Sequence, residues 1–325
     1  MSDVLLIAAS FFGYSREIKA RLETRGHSVL WFEDRPAIDA RTKTLIRLAP
    51  ALVKGEVDAY VAQIIEQAQQ RDIRTVLIIK GEALTPASIS RLRAALPRAR
   101  FILYFWDSYR NMPADSAAKV DLFDHALTFD QVDAVADPRL AYRPLFYLNE
   151  YATLPTDGQD IDVLFIGTAH TDRYAVLSRL ARALPPELRF EKVLFFPSRW
   201  MWRARKLFDG SYRHARRDEF LFTPLNKQEV MALIRRARIV VDIERPIQTG
   251  LTMRTLEMLG ASRKLVTTNI RIQDADFHHP NNQIYVDRTA PVVPVRFLES
   301  AWSPVPPEML DSYSLDGWLS EVLAI

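Results

Sequence analysis

Two α/β domains, each built on a parallel sheet, are predicted by three features of the sequence. Its 325 residues exceed what one hydrophobic core usually organises. Short apolar runs alternate with stretches of helical period, the pattern of strands buried on both faces under crossover helices. The alternation breaks once, at NEYATLPTDGQD (149–160), where turn formers and a proline replace apolar residues, and then it restarts. The expected boundaries are 1–150, 151–312 and a C-terminal helix in 313–325 able to pack back on the first domain.

The elements follow in order. DVLLIAA is an apolar run ending in small residues, the mark of a buried parallel strand, and SREIKARLETRG continues as a helix closed by Gly26. HSVLWFED is a strand, 55–71 an amphipathic helix, RTVLIIKG a strand, TPASISRLRAAL a helix and RFILYFWD a strand, with shorter elements near HALTF and YRPLFYL. The second half reads IDVLFIG as strand, about 171–184 as helix, FEKVLFF as strand, NKQEVMALIRRA as helix and RIVVDIE as strand. A helix after QTGLT, strands RKLVTTN and QIYVD, and a helix around 315–323 complete it.

Composition removes several classes. With no cysteine there is no disulfide framework, thiolate nucleophile or Cys-based zinc site. Six scattered histidines make neither HExxH nor an i, i+4 pair, so no metal is expected. No apolar run is long enough to span a bilayer, and Asp3 stands where a secretory leader needs positive charge, so a cytoplasmic protein is expected. The turn after the first strand, AASFFGYS, lacks the glycines of a dinucleotide fingerprint, and neither a GxxxxGK[ST] loop nor a GxSxG elbow occurs. The net charge is only +3, yet SRWMWRARKLFDGSYRHARR (198–217) crowds arginines among aromatics. A solvated helix face is the ordinary explanation; an acidic polymer, or peripheral contact with the inner face of a membrane, is the functional one.

Ligands of open α/β sheets bind beyond the carboxyl ends of the strands, so the loops there carry the candidates. In GTAHTDR, Gly167 permits a close turn, Thr168 and His170 offer hydrogen bonds, and Arg173 adds charge at a helix start, together a candidate diphosphate cradle; capping of the turn explains the same residues. In QTGLTMRTLEMLG, Gln248, Thr249 and Gly250 form a turn before an apolar helix. Arg254 and Glu257 share one face of that helix, either as an intrahelical pair worth about 0.2–0.5 kcal/mol or as contacts to phosphate and ribose hydroxyls. In the first half, Glu82 and Asp107 are the candidate general bases by position, each also explicable as a local pair or cap. Phe11, Phe12 and Tyr14, beside Gly13, form an aromatic lip that could stack on a sugar ring or a lipid-linked acceptor, or belong to the core, and Trp106 and Tyr109 read the same way.

GLTMRTLEMLGASRKLVTTN, with FIGTAHTDR before it, resembles the C-terminal domain of GT-B glycosyltransferases, particularly the CgeB-like branch of capsular and lipopolysaccharide biosynthesis. The resemblance implies two Rossmann-like parallel-sheet domains facing a cleft, the acceptor on the first and a nucleotide-sugar donor on the second. It implies Gly167, Thr168 and Arg173 at the diphosphate, and Gly250, Arg254 and Glu257 at the nucleotide and phosphates. The expected activity is metal-independent sugar transfer to a saccharide or lipid-linked acceptor, with no cofactor beyond the nucleotide-sugar co-substrate and no nucleic-acid partner. One position departs: where many retaining members carry a second glutamate eight residues before the ribose-binding one, this chain has Thr249. A nucleotide-sugar epimerase of the same architecture and a non-catalytic module for nucleic acid or an acidic polymer are the alternatives.

Overall fold

The computed structural model describes residues 3–10, 12–37, 46, 49–113 and 115–324. The chain divides into two compact units: residues 1–145, 247–250 and 315–325 form the first, and 146–246 with 251–314 the second.

The first unit holds a six-stranded, all-parallel sheet in the order β2-β1-β3-β4-β5-β6. Its strands are β1 (Asp3–Ala8), β2 (Ser28–Phe32), β3 (Ile73–Ile79), β4 (Arg100–Phe105), β5 (His125–Thr128) and β6 (Ala141–Tyr142). The helices are α1 (Tyr14–Thr24), α2 (Lys54–Gln69), α3 (Pro86–Ala95) and α4 (Gln131–Ala136). Thr85 caps α3 by accepting from Ser88 N–H at 3.1 Å, with Pro86 at the first helical position, where its missing N–H costs nothing. β1, β3 and β4 are almost wholly buried, which is why each reads as a continuous apolar run and not as an alternating one. YRPLFYL, where a short element was expected, forms no continuous strand: β6 ends at Tyr142, Pro144 has no N–H to donate to a ladder, and further on Tyr147 makes an isolated bridge to Ser314.

Helix α12 (Leu315–Ala324) belongs to this unit. Trp318, Leu319 and Val322 are fully buried, and the Trp318 indole meets the Tyr104 ring edge-on with centroids 4.8 Å apart. Asp316 at its start receives Arg21 Nε at 2.6 Å and Arg25 Nη2 at 2.8 Å from α1.

The second unit repeats the plan with β12-β11-β10-β7-β8-β9, again all parallel. Its strands are β7 (Ile161–Thr168), β8 (Phe190–Phe195), β9 (Phe220–Leu221), β10 (Ala237–Asp242), β11 (Lys264–Thr267) and β12 (Gln283–Tyr285). The helices are α5 (Asn149–Ala152), α6 (Arg173–Ala183), α7 (Arg199–Phe208), α8 (Lys227–Arg236), α9 (Met253–Gly260), α10 (Val295–Glu299) and α11 (Pro307–Tyr313). The stretch read as a linker therefore opens with a helical turn, held because Tyr151 is 3% exposed. Asn226 and Glu229 form a reciprocal capping box at the start of α8. At its other end the buried Arg263 donates to the Ile234 and Arg235 carbonyls, and also to Ala261 and Pro155, so a cation replaces water at an occluded helix terminus.

Gly260 closes α9 against an aromatic ring. A Cβ there would lie 2.5 Å from Tyr147 Cδ2, and that ring is 3% exposed with its hydroxyl donating to Leu310 O at 3.0 Å. Because the ring is held at both ends, Gly260→Ala is expected to destabilise the protein by about 1–3 kcal/mol despite alanine's better helix propensity. Urea unfolding followed by circular dichroism reads this as a lower midpoint at unchanged slope.

Candidate functional site

In both sheets the strand order reverses direction next to the first strand, at β1/β3 and at β7/β10. Loops leaving such a pair part in opposite directions and open a crevice at the carboxyl ends.

At the β7/β10 point the decisive side chain is Arg173, the first residue of α6. Its Nε donates to Ile243 O at 2.6 Å, just past β10, and Nη1 donates to Thr168 O at 3.1 Å, the end of β7. Gly167 makes room for this: a Cβ would sit 3.2 Å from Arg173 Nη1 and 3.0 Å from the Phe165 ring. A larger residue would press the guanidinium away. Next to it the turn is tight, with Thr171 in the left-handed region (φ 52°) and its hydroxyl donating to His170 O.

Burial first, then Arg173 and Arg245, hold the His170 imidazole down at about 4. It is therefore neutral at physiological pH and offers one donor and one acceptor. Since its folded pKa lies below the usual 6.5, the unfolded chain binds the proton more readily; stability from this group is complete above about 6.5 and declines as pH falls toward 4. An imidazole NMR titration is expected to place the His170 midpoint near 4, and a midpoint near 6.5 would contradict the local field described.

Around this point stand residues the sequence did not single out. Arg288, after β12, donates from Nη1 to Asp172 Oδ1 at 2.8 Å and from Nη2 to Glu244 Oε1 at 2.6 Å and Glu244 O at 2.8 Å. Thr268 Oγ1, after β11, also donates to Glu244 at 2.6 Å. Burial pushes the Glu244 carboxyl up, against the pull of Thr268 and Arg288. Arg245 is exposed. The cationic groups at these strand ends are thus Arg173, Arg245 and Arg288, brought from three places in the sequence, and only the first lay in a recognisable turn.

Helix α9 is capped by Thr252, whose Oγ1 accepts from Thr255 N–H and donates to Asp242 Oδ2 at 2.5 Å. Arg254 Nη1 and Glu257 Oε2 lie 2.9 Å apart, the intrahelical pair. Tyr151 adds a side-chain hydrogen bond to Glu257. The side chain of Arg254 is 20% exposed and that of Glu257 6%, so the guanidinium is the more accessible of the two.

Residues 247–250 fold with the first unit. Thr249 Oγ1 donates to Asp130 Oδ2 at 2.5 Å, an oxygen that also accepts from Ser108 Oγ, and Gly250 is buried beside the Phe129 ring. Gln248 is half-buried. The α9 start is consequently made by Thr252, not by the preceding glycine.

In the first unit the loops after β2, β3 and β4 assemble three carboxylates and three cations. Lys80 and Gly81 both take left-handed backbone (φ 69° and 59°), costly for a lysine and sustained by its surroundings. Lys80 Nζ lies 2.8 Å from Asp107 Oδ2 and 3.3 Å from Glu82 Oε2. Arg35 bonds Asp34 Oδ1 at 3.0 Å and stands 3.8 Å from Glu82. Lys119 donates to Gly81 O at 3.2 Å. Asp34 is fully buried, and burial raises its carboxyl's pKa while Arg35 and Lys80 oppose the rise. Glu82 is 3% exposed; the Asp107 side chain keeps 31% of its surface. Of the aromatic candidates, Phe12 is 74% exposed beside Gly13, whereas Tyr14 packs inside α1 at 7%. Tyr109 stacks edge-on with Phe105, and its hydroxyl donates to Asp137 at 3.1 Å. Trp106 is half-buried, and Phe11 lies outside the described residues.

No protein-family model and no curated protein sequence matches the chain. Solved structures do. HepE of Anabaena, crystallised with UDP and glucose, matches with a TM-score of 0.64 at 11% identity, over 100% of both chains. This chain has the GT-B fold. A UDP-forming α,α-trehalose-phosphate synthase of Burkholderia vietnamiensis matches the GT-B chain at a TM-score of 0.64 and 12% identity, again over 100% of each. The UDP-GlcNAc 2-epimerase of Methanocaldococcus jannaschii follows at 0.57 and 9%, with the same coverage. Likeness at such identity speaks for the architecture and leaves the reaction to the residues.

Proposed function

We propose that this GT-B chain is a glycosyltransferase moving a sugar from a nucleoside-diphosphate donor to a saccharide or lipid-linked acceptor in surface polysaccharide assembly. The observation that carries the reading is the gathering of Arg173, Arg245 and Arg288 at the β7/β10 switch point, beside the start of α6. When the bond from sugar to diphosphate breaks, negative charge grows on the departing oxygen. Fixed guanidinium groups and helix-start N–H groups stabilise that charge without rearranging. Because they supply positive charge, the reaction is proposed to run without a metal ion. Gly167, Thr168 and His170 would line the diphosphate, and Arg254 with Glu257 the nucleoside side. The α9 motif keeps the CgeB-like branch as the proposed affiliation. A neighbour solved with UDP and glucose supports a uridine nucleotide as the first donor to try.

Calorimetric titration with UDP-, GDP-, dTDP- and CMP-sugars tests this directly. One of them is expected to bind, with Arg254→Ala and Arg288→Ala each weakening it about tenfold, the loss of one charge-assisted contact worth roughly 1.5 kcal/mol. Unchanged affinity in both variants would remove these residues from the site.

The likeness to the M. jannaschii epimerase favours one other reading, inversion of the donor sugar itself. Incubation with donor alone separates the two: epimerised nucleotide-sugar appearing without acceptor excludes transfer as the main activity. A lipid-linked acceptor would lie at a membrane surface, and residues 198–217 have the composition to meet one.

A further inference from the structure

Helix α7 presents its apolar side outward. Trp202, at 8% exposure, is its one buried residue. At 3.6 residues per turn, Leu207, Trp200, Phe208 and Met201 fall on one continuous arc of about 120° opposite Trp202. Their exposures are 80%, 72%, 89% and 44%. Four large apolar side chains on one outward face of a ten-residue helix are not the ordinary scatter of surface hydrophobes.

The surround of that face is cationic. Residues 198–217 contain seven Arg and Lys residues against one acidic residue, Asp209. Part of this charge is used internally: Arg205 pairs with Asp209 and donates to Thr171 O, and Lys206 donates to Ala215 O at 2.8 Å. Arg199 and Arg203 border the apolar arc and are exposed. Arg199 and Arg217 both lie 5.7 Å from the Phe222 ring, which gathers the helix and the segment after it into one basic surface. Among the described residues Arg199, Arg203, Arg213 and Arg217 form no ion pair.

We propose that the outward face of α7 docks on a membrane surface that carries anionic lipid headgroups, the helix lying in the interfacial plane. Trp200, Leu207, Phe208 and Met201 would enter the boundary between headgroups and acyl chains, and the arginines would meet lipid phosphates. No helix among the described residues is long and apolar enough to cross a bilayer, so the contact is peripheral. A second copy of the chain is the poorer occupant: a two-fold contact through α7 would bring two copies of the same cationic rim together with no acidic surface between them. The inference concerns a surface and stands apart from the transfer reading, whose failure would leave it intact.

Flotation of the full chain with vesicles tests it, comparing equimolar phosphatidylcholine and phosphatidylglycerol with phosphatidylcholine alone. Binding is expected only with the anionic vesicles and is expected to be lost at high salt. Trp200→Ser with Phe208→Ser should lower the bound fraction at least about tenfold. Arg199→Gln with Arg203→Gln should weaken binding and flatten its salt dependence. Circular dichroism and calorimetric nucleotide binding should be unchanged in both double variants. The proposal is overturned if the wild type fails to float with anionic vesicles or if Trp200→Ser with Phe208→Ser floats as well as wild type. Sedimentation velocity showing self-association that this double variant abolishes, with no vesicle binding, would assign the face to a second copy instead.

Discussion

Asp107→Asn is expected to lower kcat by about 10²–10⁴-fold, the range for removing a general base, while leaving the dissociation constant for the donor unchanged. The argument rests on access. Asp107 ends the run from β4, keeps about a third of its side-chain surface and has Lys80 Nζ at 2.8 Å, a partner that orients the carboxylate. A base must come within hydrogen-bond reach of the acceptor hydroxyl, and among the two carboxylates anticipated only this one has surface to offer. Glu82 is buried against Lys80 and Arg35, so any effect of it on turnover would pass through them. Glu82→Gln should therefore reduce kcat less than Asp107→Asn, and lower stability by weakening its pairing with Lys80 and Arg35. Steady-state kinetics with saturating donor distinguishes these outcomes. Full turnover in Asp107→Asn would move the search for a base elsewhere among the strand-end loops.

Trp318→Ala should cost about 3–5 kcal/mol of unfolding free energy, the range for truncating a fully buried aromatic ring. The indole packs edge-on against Tyr104 in the middle of the first unit, flanked by Leu319 and Val322, none of them exposed. Removing it opens a cavity that neither the helix nor the sheet can close without breaking the Arg21 and Arg25 bonds to Asp316. Because the substitution removes one of the six tryptophans and so alters the fluorescence signal itself, denaturant unfolding should be followed by circular dichroism. A loss under about 1 kcal/mol would mean that α12 rests on the unit without being part of its core.

The strand and helix pattern was legible because both sheets are parallel and covered. A strand buried on two faces must be apolar throughout, so β1, β3, β4, β7 and β10 announce themselves as runs of Val, Ile, Leu and Phe. Helix starts were legible where the cap is local, as at Thr85 and Asn226. Short elements were less so: α10 and α11 lie in proline-rich sequence, where periodicity has no length to build on, and near YRPLFYL the structure has only the two-residue β6, which ends at Tyr142. Arg173 could be picked out because a helix start after a strand and a glycine gives it a context. Arg288, Glu244 and Asp34 had none. Each is one charged residue at the end of a strand, indistinguishable in sequence from a solvated one.

By itself the sequence determined the alternation of elements, the parallel sheets that follow from it, and which loops lie at the carboxyl ends. All of these depend on neighbours within a turn or a strand. Tertiary structure alone decided which polar groups meet: Arg288 with Glu244 across 44 residues, Thr249 with Asp130 across 119, and Arg25 with Asp316 across 291. It also decided that α7 turns Trp200 and Phe208 to the outside. Periodicity reports that a helix has an apolar side, whereas the direction that side faces is fixed by what the rest of the chain packs beneath it.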